Sequence, residues 1–215
     1  MRLLACLFLL AVCVCPAPAA GGSFVRGSLE DVGIPFWCDW GYDWDERCFR
    51  DNTVRLPVGG VDDKVWRGAI RFPLDELPAG ARMTSARLEL YFDGPCVAPR
   101  RKVGPCPNGA YTVDAHAILS LSWTNEREVD FDPVATASTT VSTDVAAWTF
   151  WDLTGLVSDW AAGAAPNRGI LLKLAEEEEA FGVSGPYFPS GSFGATALRP
   201  RLVVSYTGPT TGLSP

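Results

Sequence analysis

The stretch Ala86-Arg-Leu-Glu-Leu-Tyr-Phe92 decides the fold class, because apolar and polar side chains alternate along it. Its even-numbered positions are all apolar and fall on one side of an extended chain, while Arg87 and Glu89 fall on the other. This period of two is typical of a β-strand with one buried face. The same alternation runs through 66–72 and 202–206. The chain is therefore predicted to be built from half-buried strands.

Further strands are predicted where short apolar runs lie between turn-forming residues, at 53–58, 111–119, 148–153 and 169–175. Helical periodicity is almost absent from the intervening stretches. Strands separated by turn-rich segments are typical of an antiparallel sandwich or jelly roll. We therefore expect an all-β fold, with enough chain for one substantial core.

One short helix is predicted after Thr154, whose hydroxyl can act as an N-cap. Leu156, Val157 and Trp160 then lie at helical spacing on one face. The stretch 161–166 ends the helix, because its glycine and proline both oppose continuation. We expect this helix to close one end of the sandwich.

The first residues have the pattern of a secretory signal peptide. A basic Arg2 precedes an apolar run, 3–15, that is too short to span a bilayer. Small residues at Ala17 and Ala19 fit cleavage after Ala19. Lipid attachment at Cys13 is a weaker reading, because the preceding Val12 is not a small residue. The mature protein is therefore expected to be secreted and extracellular, without a membrane anchor.

The predicted organisation has four parts: a signal peptide at 1–19, an N-terminal extension with a disulfide loop at 20–49, the β-sandwich at 50–206, and a disordered tail at 207–215. The formal net charge of the chain is −7. This acidity argues against nucleic acid and anionic membranes as partners. The sequence does not predict an oligomeric state.

Four cysteines remain after the predicted signal: Cys38, Cys48, Cys96 and Cys106. An even number in an exported chain implies disulfides, with three connectivities open for four cysteines. We expect the two local pairs, Cys38–Cys48 and Cys96–Cys106, each closing one loop. A zinc site is the alternative, but the chain has one histidine, His116, and no Cys-x-x-Cys.

The first of these loops carries a cluster of aromatic residues that are candidates for stacking on sugar rings. They are Trp37, Trp40, Tyr42 and Trp44. Asp39, Asp43 and Asp45 alternate with them and could supply oxygen ligands to calcium, although the loop lacks the glycine and glutamate of an EF-hand. No other cofactor is expected. The alternative is a closed loop whose aromatics fold onto the sandwich.

The second loop carries basic residues that are candidates for holding uronate carboxylates. Arg100, Arg101 and Lys102 stand together between Cys96 and Cys106, and arginine can bind a carboxylate bidentately. The alternative is a solvated basic turn. Because the whole chain is acidic, binding of a polyanion such as alginate requires a local basic face.

Six segments, taken in order, resemble the DNRLRE domain, a family of carbohydrate-binding modules first noted in disaggregatase-related proteins. They are 67–72, 77–81, 84–91, 152–160, 167–173 and 199–206, with a central Trp and a following Glu at 122–126, and the resemblance covers about 50–206. It implies a jelly-roll β-sandwich that binds polysaccharide, alginate in some members, and has no chemistry of its own. Ser190 matches a serine of the pattern, but Gly191 and Ser192 replace the Arg-Glu that usually follows.

Catalytic arrangements are poorly represented in the sequence. A single histidine and the absence of Gly-x-Ser-x-Gly leave no serine-hydrolase arrangement, and no phosphate-cradling or dinucleotide motif occurs. We therefore expect no enzyme activity. The sequence favours a secreted carbohydrate-binding module for extracellular or cell-wall polysaccharide. The alternative is a structural or adhesive surface protein without glycan specificity.

Overall fold

The computed structural model describes residues 20–28, 30–37, 54–61, 64–94, 96–98, 102–104, 109–121, 129–176 and 185–208. These residues form antiparallel strands and a single α-helix, Thr154–Ala162 (α1). The strands are Ala20–Gly27 (β1), Glu30–Trp37 (β2), Arg55–Pro57 (β3), Gly59–Val61 (β4), Lys64–Arg71 (β5), Arg82–Phe92 (β6), Cys96–Ala98 (β7), Lys102–Gly104 (β8), Ala110–Ala117 (β9), Ala137–Ser142 (β10), Ala147–Asp152 (β11), Ile170–Leu174 (β12), Gly185–Pro189 (β13) and Arg201–Gly208 (β14). The all-β class with one short helix is thus confirmed.

The strands form two main sheets and a smaller one. Sheet A has the order β1-β14-β6-β11, and sheet B has the order β10-β9-β12-β5-β2, with β4 also paired to β5. The smaller sheet C has the order β3-β13-β7-β8. Every pairing in the described part of the chain is antiparallel.

Sheets A and B are joined along both of their edges. Strand β1 lies at one edge of sheet A, and the next strand in sequence, β2, lies at an edge of sheet B. At the opposite edges the consecutive strands β10 and β11 make the same crossing. There the hydroxyl of Thr139 donates to the carbonyl of Phe150 over 2.8 Å, which ties the two sheets together.

The core lies between the facing sides of sheets A and B, as the period-two pattern predicts. The even positions 86–92 of β6 are completely buried, and Leu202 and Val204 of β14 join them. Sheet B contributes Ile70, Val113 and Leu172 to the same cluster, with other residues of β5, β9 and β12. Phe188 of sheet C packs against this core too. The two sheets therefore share one apolar interior.

Trp151 links the two sheets through both its ring and its N–H. It is completely buried, and its indole N–H donates to the carbonyl of Val113 on the facing sheet over 2.8 Å. Its ring meets the edge of Phe188, with the centroids 6.2 Å apart. A buried indole N–H needs such an acceptor. The position of Trp151 therefore fixes the face that β11 turns to the core.

The Asn167-Arg-Gly segment before β12 has a structural role. Asn167 donates from its side-chain amide to the carbonyl of Phe72 over 2.8 Å. Gly169 has a φ of 97°, and a Cβ at this position would lie 2.8 Å from the carbonyl oxygen of Ile70. Only glycine fits this close approach of β12 to β5 without distortion.

The predicted N-cap role of Thr154 is wrong, because the hydroxyl has other partners. The N-cap is Leu153, whose side chain makes no capping hydrogen bond. The Thr154 hydroxyl instead donates to Asp152 and accepts a hydrogen bond from the backbone N–H of Ala86 over 3.0 Å. It thus anchors the helix to strand β6.

The predicted buried face and end of α1 are confirmed. Val157 and Trp160 are buried, and Leu156 packs against the core. The helix ends at Gly163, which has a left-handed φ of 71° and donates its N–H to the carbonyl of Trp160. Within the described residues, no helix has the length and apolarity that a membrane crossing requires.

Several strands were not predicted from the sequence: β1, β2, β4, β7, β8, β10 and β13. In β1 the apolar residues Phe24 and Val25 are adjacent, so one of them must face outward, and Val25 is 59% exposed. The strand is held mainly by its pairing with β14, from Ala20 opposite Gly208 to Gly27 opposite Arg201. Backbone pairing of this kind leaves little trace in the pattern of side chains.

Replacing Trp151 by phenylalanine is expected to lower the free energy of unfolding by about 2–4 kcal/mol, because a buried hydrogen bond is lost and a cavity is left. Urea denaturation measures the change. The matched control is Val145→Ala in an exposed turn, which should change stability by less than about 0.5 kcal/mol. Equal effects of the two substitutions would contradict the role assigned to Trp151.

Replacing Tyr111 by phenylalanine is expected to leave the protein equally stable at neutral pH, or more stable by about 1 kcal/mol. The Tyr111 hydroxyl is buried without a hydrogen-bond partner among the described residues. Burial also raises the pKa of Tyr111 above its ordinary value of 10.0. The unfolded chain therefore releases this proton first, and stability falls as pH rises above about 10.

Urea denaturation at neutral pH and at about pH 10.5 tests this prediction, since tyrosine ordinarily titrates near pH 10. The wild-type protein should lose more stability than Tyr111→Phe between the two conditions. A variant that is clearly less stable at neutral pH would show instead that the hydroxyl has a partner.

Candidate functional site

The loop residues predicted to bind ligands are not described by the structure. For Trp37, Cys96 and Lys102, which lie on β2, β7 and β8, only the backbone is described. The other predicted residues lie outside the described part of the chain: Cys38, Asp39, Trp40, Tyr42, Asp43, Trp44, Asp45, Cys48, Arg100, Arg101 and Cys106. Among the described residues, no group of three or more His, Cys, Asp or Glu is placed to hold a metal ion. Both loop sites stay predictions.

The outer face of sheet B is covered in its centre by residue 118 and by residues 129–131. Ile118 and Val129 pack there against Ala69 and Leu171, with Phe131 beside them. His116 also lies on this side, with its Nδ1 2.7 Å from the carbonyl oxygen of Asp132 and its ring against Phe131. This face is therefore occupied by the protein's own chain.

The outer face of sheet A carries aromatic side chains on two adjacent strands. Trp148 of β11 stands directly opposite Tyr91 of β6, and the two rings meet edge to face with centroids 5.3 Å apart. Phe150 lies two residues further along β11, on the same face, and is 54% exposed. At a rise of about 3.3 Å per residue, two ring positions on one strand are about 7 Å apart.

Two arginines hold these rings in place. The guanidinium of Arg201 lies over the Trp148 ring, 4.0 Å from its centroid. The guanidinium of Arg87 lies over Phe150 at 5.3 Å. Cation–π contacts of this kind orient the ring as well as stabilising the pair. We call the set of Arg87, Tyr91, Trp148, Phe150 and Arg201 the aromatic platform.

A single buried carboxylate fixes both arginines. Glu89 has only 6% of its side chain exposed and binds Arg87 at 2.6 Å and Arg201 at 2.7 Å. Charge-assisted hydrogen bonds of this length are the stronger kind. Because Glu89 lies between the two arginines, it determines where each guanidinium can stack. The platform is therefore preorganised by the fold.

The platform continues across sheet A as a surface of mixed polarity. The strand register places Val25 beside Val203, and Ser23 beside Ser205, on the same outer face. Asp152 lies at the other edge, opposite Arg87. Hydrogen bonds from the backbone and side chain of Thr154 hold the pKa of Asp152 below its ordinary value. The charges of Arg87 and Arg201 are thus balanced by those of Glu89 and Asp152.

A second polar cluster, around Ser190, is a structural site. Ser190 is buried, and the neighbouring N–H of Gly191 donates to Asp31 over 2.6 Å. Close by in the sequence, the ring of Phe193 lies under the guanidinium of Arg55. Arg55 in turn pairs bidentately with Asp93, both contacts being 2.6 Å. This cluster joins β2, β3 and the end of β6, and its described polar groups are well satisfied.

The platform was not predicted from the sequence, although a signal for it was present. In a strand with Trp151 facing inward, period two places 148, 150 and 152 on the outer face. Tyr91 likewise shares a face with Arg87 and Glu89. Aromatic residues at outward positions of two strands need a reason other than the core. The pairing of β6 with β11, which brings them together, could not be read from one sequence.

Comparison with known proteins does not assign the chain to a family. No family model matches the chain, and no curated protein matches it. The resemblance to the DNRLRE domain therefore stays a prediction from the sequence segments.

Replacing Glu89 by glutamine is expected to lower the free energy of unfolding by about 1–3 kcal/mol, because two arginines lose their shared carboxylate. Urea denaturation measures the change. The matched control is Glu76→Gln, because the Glu76 carboxylate pairs with Arg26 but is 45% exposed. The control should cost less than about 1 kcal/mol. A control that costs as much as Glu89→Gln would sink the proposed anchoring role.

Proposed function

We propose that this protein is a secreted, non-catalytic carbohydrate-binding module that holds extracellular or cell-wall polysaccharide on its aromatic platform. The observation that carries the proposal is the exposed outer face of sheet A, where Trp148 and Phe150 are held by arginines that share Glu89. The outer face of sheet B, by contrast, is covered at its centre.

The chemistry of the platform suits sugar rings. The C–H face of a pyranose is apolar and packs flat on an aromatic ring, whereas its hydroxyl groups need hydrogen-bond partners at the rim. Trp148 and Phe150 each have an arginine over one face of the ring, so a sugar would stack on the opposite face. Rings whose orientation is already fixed lose little conformational entropy when a ligand binds.

The strand order supports a jelly-roll interpretation of the sandwich. Four strands, β1-β14-β6-β11, face five, β2-β5-β12-β9-β10, and the chain passes between the sheets at both edges. An eight-strand jelly roll has two four-stranded sheets connected in this way. Strand β5, inserted between β2 and β12, is then the added member. This order agrees with what the resemblance to the DNRLRE domain implies.

The two predicted disulfide loops remain part of the proposal. In the β7–β8 hairpin, Cys96 is the register partner of Gly104. Cys106 follows Gly104 by two positions in the sequence. This short separation supports the proposed Cys96–Cys106 pair. The aromatic residues within 37–44 and the basic residues 100–102 are proposed as additional contacts to the polysaccharide. Calcium binding by Asp39, Asp43 and Asp45 is a further proposal, which is tested by measuring polysaccharide binding with and without a chelator.

A structural or adhesive role is the second candidate, and one observation favours it. Leu119, Leu121 and Val134 follow closely on the bridged residues Ile118 and Phe131 in the sequence and are 50%, 87% and 72% exposed. Apolar side chains grouped on a surface are typical of protein contacts. An adhesive protein would use this side, and the platform would not be required.

Affinity gel electrophoresis and isothermal titration against a panel of polysaccharides test the proposal. The panel should contain alginate, pectin and neutral polymers such as galactomannan and xyloglucan. We expect the wild-type protein to be retained by at least one of them. Trp148→Ala should weaken that binding by about tenfold or more, because a stacking surface is lost.

Two further variants place the site. Trp40→Ala combined with Trp44→Ala tests the predicted loop, and Leu121→Ala is a matched control on the exposed side of sheet B. The platform is supported as the binding site if Trp148→Ala abolishes retention and Leu121→Ala leaves retention unchanged. Retention lost only in the loop variant moves the site to 37–44. A folded wild-type protein that none of the polymers retains would overturn the carbohydrate-binding proposal.

A further inference from the structure

An open groove adjoins the aromatic platform at the edge where β10 and β11 meet. Its volume is about 570 Å³, and it is lined by Thr136, Ser138, Thr139, Phe150, Asp152 and Thr154 with their neighbours. Phe150 belongs to both the groove and the platform. A chain-like ligand stacked on the platform can therefore extend past Phe150 into the groove without leaving the protein surface.

The groove carries hydroxyl groups and carboxylate, but no arginine or lysine lines it in the described structure. Ser138 donates its hydroxyl proton to Asp114, so its oxygen is left to accept a hydrogen bond from a ligand. Asp114, the acceptor for Ser138, is a second carboxylate next to the groove, and Arg87 stands opposite Asp152 in the strand register. The groove thus presents hydroxyl and carboxylate oxygens as acceptors.

The carboxylate of Asp152 is prepared to accept further hydrogen bonds. Its Oδ1 accepts the backbone N–H of Thr154 at 2.9 Å and the Thr154 hydroxyl at 2.6 Å. No described hydrogen bond occupies its Oδ2. Because these contacts lower the pKa of Asp152, the group is ionised at any pH near neutrality.

We infer that this groove is a subsite for a neutral sugar residue, whose adjacent hydroxyl groups donate to Asp152 and Ser138, and that Asp152 selects neutral polysaccharides against polyuronates. The inference rests on the proposed function, since the platform would hold the rest of the same chain. A carboxylate accepts hydrogen bonds from hydroxyls strongly. It repels the carboxylate of a uronate at the same short distance.

The charges of the platform also favour a neutral ligand. The balanced charges of Arg87, Arg201, Glu89 and Asp152 give the platform no surplus of positive charge with which to hold a polyanion. The overall net charge of −7 acts in the same direction at long range. A neutral polymer needs no surplus of positive charge and is not repelled by the net negative charge of the chain. Selectivity for a neutral polymer over a polyuronate depends on repulsion of the polyuronate as well as on favourable contacts with the neutral polymer.

Asp152→Asn tests the inference in titrations against galactomannan, xyloglucan and alginate. Asparagine keeps an oxygen for Thr154 but removes the charge. We expect the affinity for the retained neutral polymer to fall about tenfold, which is the loss of a charge-assisted hydrogen bond. Affinity for alginate should stay the same or rise. Ser138→Ala leaves the start of the helix intact. It should also weaken binding of the neutral polymer, without changing the affinity for alginate.

Asp144→Asn is the matched control, because it removes the same charge from an exposed turn outside the groove. Thermal unfolding of each variant shows whether it is folded. If Trp148→Ala abolishes binding while Asp152→Asn and Ser138→Ala leave the ratio of neutral to alginate affinity unchanged, the subsite is wrong and the platform stands. A wild-type protein that prefers alginate overturns the subsite in the same way. Retention on none of the polymers overturns the function itself.

Discussion

The hydrogen bond from the buried indole of Trp151 to the carbonyl of Val113 is the constraint on which the rest of the site depends. It joins the two sheets across their shared interior and requires Trp151 to face inward. Because side chains alternate along a strand, the orientation of Trp151 sends Trp148, Phe150 and Asp152 to the outer face. A core contact thus determines which residues the surface can present. The proposed binding face is the outer side of β11, whose inner side packs into the core.

Glu89 plays a corresponding role on the neighbouring strand. Burying a carboxylate is costly unless it is paired, and here the two partners are the arginines that stack on the aromatic rings. The guanidinium groups are partly exposed, so the pairing keeps them ordered at the surface. An arrangement that served stability alone could place an apolar residue at 89, as at the even positions of the same strand. We attribute the charged residue at 89 to a positioning role: through the two arginines, Glu89 holds the rings of Trp148 and Phe150 in place.

The period-two segments could be predicted because burial of one face imposes alternation on the sequence. The inward set of β6 and the apolar face of α1 were read correctly on this basis. Strands β1 and β2 were missed, since edge strands are held largely by backbone hydrogen bonds that any residue can make. The hydroxyl of Thr154 was assigned to the wrong partner because one of its real partners, the backbone N–H of Ala86, comes near only when β11 pairs with β6. The platform was missed for a similar reason: Tyr91 and Trp148 are far apart in sequence, and only the register of two strands makes them neighbours.

The pairing of β1 with β14 has a mechanical consequence. Ala20 and Gly208 are register partners at one end of an antiparallel ladder, so tension applied between these two residues would open the ladder one pair at a time. Tension between a polysaccharide on the platform and Gly208 would act differently. It would pass through β14 and β6 and load several strand pairings at once. The strands would then resist unfolding more strongly under tension between the platform and Gly208 than under tension between Ala20 and Gly208.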